Sequence, residues 1–226
     1  MRAVSGHQKK AFWRRWVIAS TVGWFAGFLA GFIIASLFEP FVGIGALQGV
    51  FGYFVLGTCL GAGVGLMQWI VLRKRAPVSA RWILASATGL GVAGGVGYGV
   101  AVRIFGFSED LEGIGSISSL IGWTLAVAIG GVLAGLLQWR VLRHQFPHSG
   151  RWVLASAAGW TLSMLAAGGV MVAGYQLMVT FMSATGTPFI IMPISFLGGL
   201  LAGGVVLGAV TGPAIRRLLK RTASHD

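Results

Sequence analysis

The sequence predicts an all-α integral membrane protein: six transmembrane helices built as three tandem two-helix units, pseudo-threefold about the membrane normal. Two observations lead there. Of the 226 residues, 56% are hydrophobic and only 10% charged, and mean hydropathy is +0.83. A soluble domain carries roughly 25% charged residues, so this chain lacks the polar surface to cover a water-exposed globule. The second observation is internal repetition, which is sought before any finer reading. Arg15-Trp16-Val17-Ile18-Ala19-Ser20 recurs as Arg81-Trp82-Ile83-Leu84-Ala85-Ser86 and again as Arg151-Trp152-Val153-Leu154-Ala155-Ser156. A glycine follows at the same distance in each copy: Gly23, Gly89 and Gly159.

A second string closes each unit. Gly61 and Gly65 lead into Leu66-Met67-Gln68-Trp69-Ile70-Val71-Leu72-Arg73, and Gly131 and Gly135 lead into Leu136-Leu137-Gln138-Trp139-Arg140-Val141-Leu142-Arg143. The third copy keeps Gly204, Gly208 and Arg216 in register, but Thr211 and Gly212 replace the Gln-Trp pair. The chain therefore reads as one membrane domain over 1–226, with units at about 12–75, 80–145 and 150–218.

The first helix is expected over about 16–38. It follows a basic segment, as a signal peptide would, but a signal's apolar core is only about 7–15 residues. This run approaches the roughly 20 residues that cross a bilayer, and its opening string has two internal counterparts. Pro40 is expected to end it, because proline cannot donate to the helix ladder. The remaining helices are expected at 45–72, 82–104, 116–142, 152–181 and 190–215, with Pro193 in the first turn of the last. The turns 73–80 and 143–150 join the units, and Ser79 and Ser149 are their expected N-caps.

Charge sets the expected orientation. Of the 17 lysines and arginines, all but Arg103 fall in the N-terminal segment, the two inter-unit turns with their flanks, and the C-terminal tail. Glu39, Glu109, Asp110 and Glu112 share the side of Arg103. Basic short loops stay in the cytoplasm, so both termini are expected there. The net charge of +12 is then topological and gives no reason to expect nucleic-acid binding. The expected partner is a bilayer with anionic headgroups on the cytoplasmic side, together with a second copy or another membrane protein. Trp16, Trp69, Trp82, Trp139 and Trp152 are expected as a belt at the cytoplasmic interface.

Two residue sets are candidates for specific roles. Glycines four apart lie on one helix face and let backbones approach closely. These are Gly23, Gly27 and Gly31; Gly57, Gly61 and Gly65; Gly91, Gly95 and Gly99; and Gly204, Gly208 and Gly212. They pack the hairpins together or dock another protein. Gln68 and Gln138 either cross-link helices or form a polar ring, with Arg73, Arg143 and Arg216 at its rim to receive an anion.

No catalytic, cofactor or metal site is expected. No Asp, Glu, Lys or His falls in the middle of an expected span, where coupled transporters place such groups. His144 and His148 are separated by Pro147, which spoils a helical two-histidine face. The lone Cys59 reads as a small packing residue. Arg103 with the nearby acids reads as a solvated loop.

The Gly-x-x-Gln-Trp-x-x-Leu-Arg pattern, at Gly65 to Arg73 and Gly135 to Arg143, resembles a motif of uncharacterised bacterial multi-pass membrane proteins. That resemblance implies an inner-membrane location and no known activity. Mitochondrial carriers share the three-by-two arithmetic, yet their Pro-x-acidic-x-x-basic signature is missing from this sequence. The expected role is a non-enzymatic structural, accessory or assembly component; the alternative is a small uncoupled transporter or channel along the axis.

Overall fold

The protein is described here from a computed structural model. The residues described are 6–42, 46–105, 116–146, 149–185 and 190–222. Among them the chain is entirely helix and connecting turn. The helices are α1 (Gly6–Val42), α2 (Ala46–Leu72), α3 (Arg81–Phe105), α4 (Ile117–Leu142), α5 (Arg151–Thr185) and α6 (Ile191–Thr222). All six are long and apolar enough to cross a membrane.

Several boundaries move outward from the expected ones. α1 begins at Gly6 because Phe12, one turn before Trp16, is itself buried in the core. Pro40 does not stop it. It sits inside α1 just ahead of the last residue, Val42, where one missing backbone bond falls in an exposed end turn. α6 runs on through Pro213 to Thr222, carrying Ile215 and Leu218 into the core. Ser79 caps α3 as expected, accepting from Arg81 N at 3.2 Å. Ser149 does not: its hydroxyl is buried without a partner, and only its carbonyl receives Trp152 N. Ser116, not anticipated, caps α4 by accepting from Ser119 N.

Each helix packs on its neighbours in sequence, and α6 returns to pack on α1. The result is a closed ring of six helices. Glycines allow the close approach. A Cβ at Gly23 would lie 2.6 Å from Gly63 O on α2, and one at Gly204 only 2.5 Å from Thr21 Cα on α1. In hydrocarbon there is little hydrophobic drive between helices, so such van der Waals contact is what holds them.

The centre of the ring is filled. One buried cluster joins Phe12, Trp16, Leu72, Trp82, Leu142, Trp152, Ile215 and Leu218, so all six helices contribute to it. A second cluster again draws on all six: Trp24, Val64, Leu90, Ala134, Trp160 and Leu207, with Ala167 and Leu200. The first lies at the end of the ring that carries the basic turns. Toward the other end Tyr53 stacks on Tyr98 at 4.8 Å and also meets Trp123 at 4.5 Å.

Candidate functional site

A layer of buried polar side chains lies between the two apolar clusters. Ser follows Trp by four residues in each opening string, so both point to the same face. Trp16, Trp82 and Trp152 are fully buried on that face, as are Ser20, Ser86 and Ser156. Trp152 meets Trp82 at 5.2 Å and Trp16 edge-on at 6.4 Å. This corrects the expected aromatic belt, because these three indoles fill the ring interior instead of facing headgroups. Each follows an exposed arginine by one position, about 100° around the helix from it. Only Trp69 and Trp139 are left half-exposed at the surface.

The glutamines join the helices. Gln138 Nε2 donates to Ser86 Oγ on α3 at 2.8 Å, while its Oε1 accepts Trp152 Nε1 of α5 at 2.8 Å. One side chain thus ties three helices together. Gln68 Nε2 donates to Ser20 Oγ at 3.1 Å. Trp82 Nε1, which occupies the position matching Trp152, is buried without a partner. At the third site Thr211 serves as the acceptor, taking Trp16 Nε1 at 2.9 Å and donating to Leu207 O at 2.6 Å. Threonine is too short to span as glutamine does, and Ser156 donates instead to Gly131 O.

Arg73 and Arg143 stand outside this layer. Both are exposed, with guanidinium carbons 4.6 Å above the Trp69 ring and 5.6 Å above the Trp139 ring. Arg216 is half-buried, and Gly212 leaves it no matching indole. The glutamines lie in the interior layer, and Arg73 and Arg143 lie at the surface.

The glycine faces pack within the ring. Gly23, Gly27 and Gly31 face α2; Gly57, Gly61 and Gly65 face α3; Gly91 and Gly95 face α2; Gly204, Gly208 and Gly212 face α1. Gly99 alone of the set has open space where a Cβ would go. Cys59 Cβ lies 3.1 Å from a Cβ placed at Gly31, consistent with a packing role.

Among the described residues no cluster of His, Cys, Asp and Glu could hold a metal ion. Glu109, Asp110, Glu112, Pro147 and His148 lie outside the described residues. Arg103 ends α3 and is exposed. Two apolar grooves flank α3 on either side of Val92 and Val96, about 530 and 550 Å³ in volume, and both are lined by hydrocarbon and glycine. Comparison with family models, curated proteins and solved structures gives no match.

The sequence singled out the glutamines but not Trp152, the indole that donates to Gln138. The available signal was the Trp-x-x-x-Ser spacing, which puts the indole and the hydroxyl on one inward face.

Proposed function

We propose that the chain is a non-enzymatic membrane protein acting as a structural, accessory or assembly component through helix packing. In this reading the three hairpins are copies of one unit, related by pseudo-threefold rotation about the membrane normal. Its support is that matching positions of the recurring strings share interior layers: Leu72 with Leu142 and Ile215, Trp24 with Leu90 and Trp160. The basic end and both termini face the cytoplasm, as the asymmetry of the short loops favours, and the resemblance of the Gly-x-x-Gln-Trp-x-x-Leu-Arg pattern favours a bacterial inner membrane.

The observation that carries the packing role is the filled axis. Aromatic and aliphatic side chains from all six helices meet at the centre, and the Gln138 amide is spent on joining helices. Such a core rigidifies a scaffold and leaves little room for a solute. The test is cysteine substitution at Val64 and Leu207 in a Cys59→Ser background, probed with membrane-impermeant maleimide. Both sites are expected to stay unreactive from either side while Lys74→Cys reacts. Rapid labelling at either interior site would overturn the packed axis. Cross-linking with mass spectrometry after gentle extraction tests the assembly role. Self-association or a captured membrane protein is expected, and a lone monomer would count against it.

A small uncoupled transporter or channel along the same axis is the second reading. It is favoured by Trp24 Nε1, Trp82 Nε1 and Thr124 Oγ1, which are buried without protein partners. Water or a polar solute could satisfy them. The same maleimide experiment separates the two readings.

A further inference from the structure

The basic end of the ring carries cations that no acidic side chain among the described residues neutralises. Arg14, Arg15, Arg73, Lys74, Arg75, Arg81, Arg140, Arg143, Arg151, Arg217 and Lys220 are all exposed there. Among the described residues Glu39 is the only acid, and it lies near the far end of α1, accepting from Gln48 Nε2 at 2.7 Å. Their neutralising charge must come from outside the described part of the chain.

Two places on this rim are built alike. At the end of α2, Leu66, Trp69 and Arg73 fall on one face, seven and four residues before the arginine. At the end of α4, Leu136, Trp139 and Arg143 repeat the arrangement. Leu66 and Leu136 are exposed, on the side that faces hydrocarbon. Trp69 is fixed from below: its Nε1 donates to Val78 O in the following turn at 2.9 Å. Trp139 Nε1 lies in matching fashion beside Gly150, 4.0 Å from a Cβ placed there. Each arginine lies over its indole. Stacking uses the face of the guanidinium and leaves its in-plane N–H fork free for two oxygens of a phosphate.

We propose that these are two binding sites for anionic phospholipid, each taking the phosphate on the stacked arginine and the acyl chain along the leucine above it. The third copy has Ala209 and Gly212 where the others have leucine and tryptophan, so it lacks both the chain contact and the stacking platform. The protein therefore holds two such lipids, not three. A lipid is preferred over a soluble polyanion because the cation and the exposed aliphatic side chain share one face at the depth where headgroup meets tail.

The test uses the full chain, delipidated and exchanged into micelles containing phosphatidylglycerol or phosphatidylcholine, with retained lipid counted by native mass spectrometry. Two tightly held phosphatidylglycerol molecules are expected, with phosphatidylcholine retained far less. The double variant Arg73→Gln/Arg143→Gln is expected to lose both, weakening retention by at least about tenfold, as for the loss of a charge-assisted phosphate contact. Arg73→Lys/Arg143→Lys keeps the charge but not the fork and is also expected to weaken retention. Arg217→Gln, which removes a positive charge at the third copy, is expected to leave the count at two. Equal retention of both lipids, equal loss in Arg217→Gln, three equivalent sites, or full competition by free glycerol phosphate would each overturn the proposal. Circular dichroism of each variant confirms that loss of lipid is not loss of fold. The packed-axis reading is tested separately by maleimide labelling, so either can fail alone.

Discussion

At the level of single residues, Gln138 and Gln68 look equivalent in sequence but do different amounts of bonding. Gln138 uses both ends of its amide, on Ser86 and Trp152, whereas Gln68 has its bond to Ser20, and Trp82, the indole matching Trp152, is without a hydrogen-bond partner. Replacing Gln138 by leucine removes two buried hydrogen bonds and strands Trp152 Nε1. The expected loss is about 1–2 kcal/mol, since polar contacts between membrane helices average below 1 kcal/mol each but an unsatisfied buried donor adds its own cost. Gln68→Leu is expected to cost less, because its loss creates no new unpaired indole. Reversible unfolding in mixed micelles measures both, and an equal or reversed order would contradict the joint as described. Similarly, Trp82→Phe gives up no hydrogen bond, while Trp152→Phe does. Reading the sequence alone could not separate these cases: the strings are the same, and only the placement of the neighbouring helix decides which indole reaches an amide.

Between helices, the glycines decide how closely the elements approach. Gly23 and Gly204 both sit where an added methyl would meet neighbouring backbone, 2.6 Å from Gly63 O and 2.5 Å from Thr21 Cα. Backbone cannot rotate away as a side chain can, so Gly23→Ala or Gly204→Ala must push α1 from α2 or from α6. Overpacking of this kind costs about 1–3 kcal/mol. Gly99→Ala meets nothing within 4 Å. It is expected to be neutral or slightly stabilising, since alanine favours helix by up to about 1 kcal/mol. The same unfolding measurement checks all three, and a destabilised Gly99→Ala would show that its face is occupied. The four-residue spacing places each set on one helix face. It did not say which neighbour each would meet, since a stripe of small residues fits any helix equally well.

For the molecule as a whole, the contact of α6 with α1 turns a row of hairpins into a ring. Phe12 and Trp16 near the start of α1 share a cluster with Ile215 and Leu218 near the end of α6. Joining the end of α6 to the start of α1 by a flexible linker, and opening the chain between Lys74 and Arg75, should therefore preserve every interhelix contact. The permuted chain still has six spans, with both new termini at the basic end. It is expected to insert, extract as a folded species and unfold within about 5 °C of the parent, less than the shift that a loss of a few kcal/mol would give. A permutant that aggregates or unfolds far lower would show that closure depends on the original order of insertion.

Sequence by itself determined the number of helices of spanning length among the described residues, their order and their apolar character, because spanning hydrocarbon demands a long run without charge wherever the chain goes. It also singled out Gln68 and Gln138, for a helix cross-link or a polar ring, and the glycine faces, for packing the hairpins or docking another protein. What it left open was which way each amphipathic or aromatic side chain faces. Tryptophan is equally at home among headgroups and in a packed core, so Trp16, Trp82 and Trp152 read as a belt, yet the ring turns them to its centre. Only the closing contact between the first helix and the last creates that centre. Its location is a property of six helices together, and no local string encodes it.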